Sequence, residues 1–105
     1  MNERLLSLLG LARRAGKISL GFDPVCDSAA KGEAVLVFYT EDVSAGSLKK
    51  LNKSISAAGV EMAQLPCDMD TLAGAIGKGV RIISLNDAGF AKKAKLLLEA
   101  VGEVK

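Results

Sequence analysis

The chain has 105 residues, 50% of them hydrophobic and 25% charged, which suffices for one core and not for two, so a single domain over residues 1–105 is expected. Fourteen basic against twelve acidic residues leave a net charge of +2, short of the basic footprint of a non-specific nucleic-acid binder, and the absence of His removes the commonest general base and metal ligand. No apolar run approaches the roughly 20 residues that cross a bilayer, which predicts a cytoplasmic protein with no membrane role.

In chain order, Leu5, Leu8, Leu9 and Ala12 recur at helical spacing, with Asn2 to cap the helix and Gly16 to end it. The Leu5–Leu9 run is broken at Ser7 and too short for a signal peptide. Arg13 and Arg14 fall in the last turn, where they complement the dipole. A strand over 17–20 leads into Gly21-Phe22-Asp23-Pro24. Asp23 is a natural N-cap and Pro24 suits the first helical position, so the second helix is expected from Pro24 to Lys31, with Gly32 as its left-handed stop. Phe22 reads as a hydrophobic staple beside that cap. The exposed N–H groups of such a helix start favour anionic or acceptor-rich partners.

The stretch 34–39 contains Val35-Leu36-Val37-Phe38, apolar on both faces, and predicts a central strand covered on both sides. Ser44 caps a third helix with Leu48, Leu51, Ile55 and Ala58 inward, Lys49, Lys50 and Lys53 outward, and Gly59 at its end. A third strand follows over 60–65. Asp68 or Asp70 caps a short helix through Ile76, Gly77-Lys78-Gly79 turns into a fourth strand over 80–85, and Asp87 opens the last helix. That helix turns Phe90, Ala94, Leu97 and Leu98 inward and Lys92, Lys93 and Lys95 to solvent.

Strands alternating with helices predict a three-layer α/β/α sandwich around a four-stranded mixed sheet. Sheets of this kind place ligands where loops leave the strand ends, so the Gly21-Phe22-Asp23 and Gly77-Lys78-Gly79 turns are the candidates; sequence leaves open whether they share an edge. Gly74, Gly77 and Gly79 do not make a phosphate cradle, because they follow a helix and enter a strand. Cys26 and Cys67 have no partner at metal-ligand spacing and read as buried thiols. No Ser, Cys or Lys has an evident activating neighbour, which argues against catalysis.

Gly10-Leu11-Ala12-Arg13-Arg14-Ala15-Gly16-Lys17-Ile18, the Gly21 turn, Thr40-Glu41-Asp42-Val43, the stretch 72–78 and Asp87-Ala88-Gly89-Phe90-Ala91-Lys92-Lys93 together resemble the bacterial YlxQ-type branch of the ribosomal kink-turn-binding protein family, over nearly the whole chain and in the same order. The resemblance implies an α/β/α sandwich that binds structured RNA, usually a kinked helix with tandem sheared G·A pairs, without catalysis, cofactor or metal. In that family the turn before the second helix reads Gly, a small residue, Asn, Glu and, two positions on, Lys. Gly21 matches; Asp23, Pro24 and Asp27 do not. A carboxylate accepts but cannot donate to a guanine edge, Pro24 lacks both carboxylate and N–H, and Asp27 is negative where a cation would meet phosphate. Each lost base contact is worth about 1–3 kcal/mol. The family's Lys before the fourth helix is here Met69.

The resemblance therefore implies a ribosome- or translation-associated protein that recognises kinked or bulged RNA with a degraded signature. Its expected partners are structured RNA such as ribosomal RNA, and ribosomal or translation proteins, with no DNA specificity. Lys17, Gly21, Phe22, Asp23, Lys31, Lys78 and Arg81 are the expected RNA-binding residues, with the Phe22 ring, if it is not only a staple, stacking on an unpaired base. The alternative is a protein-interaction module on the same scaffold, in which Asp23-Pro24 is only a helix cap.

Overall fold

A computed structural model describes residues 3–103, with side chains described for residues 3–99, and Asn2 as a cap lies outside them. Among the described residues the elements run α1 (Glu3–Arg14), β1 (Ile18–Leu20), α2 (Phe22–Ala30), β2 (Leu36–Tyr39), α3 (Ala45–Ser56), β3 (Glu61–Gln64), α4 (Met69–Ile76), β4 (Ile82–Leu85) and α5 (Ala88–Glu103). The strand order is β1-β4-β2-β3, with β2 and β3 parallel and β4 antiparallel to both of its neighbours. The sheet is therefore mixed, as expected.

Period-two alternation divides the apolar residues of the two central strands between two cores. Leu36 and Phe38 of β2 and Ile83 and Leu85 of β4 pack with Leu5, Leu8, Leu9 and Ala12 of α1, Leu72 and Ile76 of α4, and Ala91 and Ala94 of α5. Val37 and Ile82 face the other way, against Val25 and Ala29 of α2 and Leu51 and Ile55 of α3. Two helical layers thus enclose the sheet. Full burial of a side chain such as Phe38 contributes about 1.5–3 kcal/mol, which is why β2, covered on both faces, carries an uninterrupted apolar run.

Local signals set most helix ends. Ser44 Oγ accepts from Ser47 N at 3.1 Å, Asp68 Oδ1 from Thr71 N at 2.9 Å and Asp87 Oδ2 from Phe90 N at 2.9 Å, so Asp68 rather than Asp70 caps α4. The two Thr71 hydrogen bonds hold the Asp68 carboxyl below the usual carboxylate range.

Strand ends differ from expectation. Val35 precedes β2 and is 43% exposed, not buried, although its N–H still donates to Leu85 O at 2.8 Å. Ala58 is exposed because α3 stops at Ser56. Val80 and Arg81 lie in the loop before β4, not in the strand. Cys67 is buried, while Cys26 is half-buried against the second core.

Candidate nucleic-acid interface

The start of α2 is set by a tertiary contact. Gly21 N donates to Ile82 O at 2.8 Å, closing the turn against the first residue of β4. Gly21 adopts φ 99° and ψ 165°, a conformation reserved for glycine, and occupies the N-cap position with no side-chain cap. The helix therefore starts at Phe22, and the expected Asp23 cap is not formed. Asp23 instead lies in the first turn, exposed, where its charge complements the dipole. Pro24 tolerates this position because an N–H there would have no intrahelical partner. The first-turn N–H groups of Phe22 and Asp23 likewise have none within the helix.

Below that turn a polar cluster fixes α2 on the sheet. Ser19 Oγ and Ser28 Oγ are 2.5 Å apart, Asn86 Nδ2 donates to Ser19 Oγ at 2.9 Å, and Ser84 Oγ donates to Asn86 Oδ1 at 2.9 Å. These four side chains join β1, α2 and the end of β4. Each polar atom in such a buried set must find a partner, which restricts α2 to one position.

The two candidate turns meet on one edge. A Cβ placed on Gly21 would come within 3.8 Å of Val80 Cγ1, so the Gly21 turn rests against the α4–β4 loop that carries Lys78 and Arg81. Between them opens a shallow concavity of about 380 Å³, into which α3 contributes Ser47 and Lys50. Phe22 lines it as the first residue of α2, half-buried against the second core, rather than as a staple preceding a cap. Met69 lies beside Gly79, on which a Cβ would stand 3.9 Å from its sulfur.

Asp42 ties this edge together. Its Oδ1 accepts from Thr40 Oγ1 at 2.6 Å and from Met69 N at 3.1 Å, and its Oδ2 lies 3.4 Å from Arg81 Nε. Chiefly the Thr40 hydroxyl, with help from the Met69 N–H and Arg81, keeps the Asp42 carboxyl below its usual range, so it is anionic near neutrality.

Of the expected binding residues, Gly21, Phe22 and Arg81 line the concavity, while Asp23 and Lys78 do not line it and lie next to it in the chain, in the first turn of α2 and in the α4–β4 loop. Lys17 and Lys31 lie away from it. Lys17 O accepts from Asn86 N at 2.8 Å, beyond the far end of β4, whereas Gly21 bonds to the near end at Ile82. Lys31 caps the other end of α2, about 13 Å along the helix at 1.5 Å per residue. It pairs with Asp27 at 3.0 Å, and that hydrogen bond raises its pKa. Sequence reading missed Lys50, assigned there to a solvated face, and Ser47; the Ser44 cap signal could have placed both near the start of α3.

No family model matches the chain. It is 32% identical over 97 residues to the RNA-binding protein YlxQ of Enterococcus faecium, covering 92% of this chain and 93% of that protein. It is 36% identical over 93 residues to the RNA-binding protein YlxQ of Bacillus subtilis (strain 168), covering 88% and 92%. Among solved structures, a Bacillus halodurans C protein of unknown function superimposes with a TM-score of 0.80 at 32% identity, covering 90% of this chain and 96% of the other. The Giardia lamblia 15.5kD RNA binding protein superimposes with a TM-score of 0.73 at 16% identity, covering 96% and 87%, a likeness of fold.

Proposed function

The chain belongs to the YlxQ-type branch of the ribosomal kink-turn-binding protein family, and on that premise we propose that it is a non-enzymatic, cytoplasmic RNA-binding protein. In this reading it acts as one domain, with the ribosome or translation apparatus, on kinked or bulged RNA helices. The observation that carries the reading is the meeting of the Gly21 turn with the Lys78–Arg81 loop. Free amide donors at the start of α2, a half-buried aromatic ring and the cations Lys50, Lys78 and Arg81 then face one acceptor-rich ligand.

The departures from the family signature tune this activity downward. Asp23 is exposed at the helix start, Pro24 brings no donor, and Asp27 is neutralised by Lys31 where the family presents a free cation. Losing two or three base or phosphate contacts lowers specific affinity by orders of magnitude while leaving the fold intact. The Asp27–Lys31 pair is also what favours the second reading, a protein-interaction module on the same scaffold.

A gel-shift titration with a standard kink-turn RNA, run on the native chain beside the triple variant Asp23→Asn, Pro24→Glu, Asp27→Lys, separates the two. Salt-sensitive binding by the native chain, tightened in the variant, is the expected result. Binding by neither protein overturns RNA recognition through this edge.

A further inference from the structure

The C-terminal ends of α1 and α4 lie side by side, away from the concavity but joined to it through Gly77 and Lys78. Arg13 Nη1 donates to Ile76 O at 2.6 Å, so Arg13 does more than complement its own helix: it occupies an orphan carbonyl at the end of the neighbouring one. Arg13, Arg14, Gly74 and Gly77 line an open groove of about 920 Å³ between the two helices. Close helix packing keeps the groove shallow, since a Cβ on Gly10 would stand 3.1 Å from Ala75 O.

Two helix C-termini would ordinarily repel an anion. Here Arg13 covers one of them, and Arg14 and Lys78, both exposed, carry no side-chain ion pair or hydrogen bond among the described residues. The acidic Glu3 lines the opposite end of the groove, so the positive charge is concentrated where the groove adjoins Lys78.

Resting on the RNA-binding reading above, we infer that this α1–α4 groove is a second phosphate-binding surface, which holds the backbone of one arm of a bent RNA while the Gly21–Arg81 edge holds the bend. Charge complementarity and continuity through Gly77-Lys78 support that occupant. A helix bent at the edge must send an arm across a neighbouring surface, and this neighbour offers unpaired cations with small residues that admit close backbone approach.

The test compares three kink-turn RNAs, one with both arms extended by a full helical turn and two in which one arm or the other is cut to a few pairs. Arg14→Gln is the informative variant, because Arg14 makes no contact that the fold needs; an unchanged thermal midpoint checks this. Arg14→Gln is expected to weaken binding of the two-arm RNA on the order of fivefold and to lower its salt slope by about 0.9, while leaving the RNA lacking the relevant arm unaffected. Equal losses on every RNA, or none on any, overturn the groove assignment and leave the edge standing if Lys50→Ala, in the concavity and away from the groove, still weakens binding. Failure of the native chain to bind any of these RNAs overturns both.

Discussion

Asp42 and Arg81 face each other across the candidate interface, with Oδ2 3.4 Å from Nε. The other carboxylate oxygen is already engaged by Thr40 and Met69, so one side chain connects the ends of β2, α4 and the loop before β4. The folded state lowers the Asp42 pKa, so its contribution to stability is present above the unfolded value near pH 4 and is lost as pH falls through the lower folded value. Asp42→Asn should lower the thermal midpoint at neutral pH and reduce the further drop between pH 5 and pH 2. Asp68, shifted in the same direction, retains its share in that variant. A variant whose midpoint falls on acidification as much as that of the native chain would contradict the assignment.

Gly21→Ala should both destabilise the protein and disorganise the interface. A side chain at φ 99°, ψ 165° costs about 1–3 kcal/mol, and the added Cβ meets Val80 at ordinary contact distance, so strain and not a clash is the cause. Thermal or urea unfolding measures the first effect. RNA affinity under fully native conditions measures the second.

The helix caps at Ser44, Asp68 and Asp87, the apolar stripe of α1 and the central burial of Val37 and Phe38 were legible because they are set by neighbours a few residues away. The start of α2 was not, because a hydrogen bond from Gly21 to a strand sixty residues on overrides the local preference for an Asp23-Pro24 cap. The same limit explains the candidate site. Lys17 is four residues from Gly21 in sequence, yet β1 separates them along the sheet, while Val80 and Arg81 arrive beside Gly21 only through the order β1-β4-β2-β3. Arg13 was legible as a helix-terminal cation, but the helix whose carbonyl it reaches is α4.

Lys78→Ala and Arg81→Ala should each weaken RNA binding across sequences and lower the slope of log K against log salt by about 0.9. Lys17→Ala and Lys31→Ala should do neither, since Lys17 precedes β1 and Lys31 ends α2, each at the end of its element away from the Gly21 turn. Titrations of the four variants at several salt concentrations would check this. A slope change at Lys17 equal to that at Lys78 would place the RNA elsewhere.

Phe22 separates packing from recognition. Its ring is half-buried against the second core and also lines the concavity, so Phe22→Ala should reduce both stability and RNA affinity. Leucine refills much of the apolar volume but offers no flat face on which a base can stack. Phe22→Leu should therefore lose less stability than the alanine variant, yet still forfeit about 1–3 kcal/mol of binding to an RNA with an unpaired base at the bend. The same substitution should make little difference to an RNA in which that nucleotide is abasic. If Phe22→Leu binds the intact RNA as well as the native chain does, the ring serves the core alone, and the interface depends on its amide donors and cations.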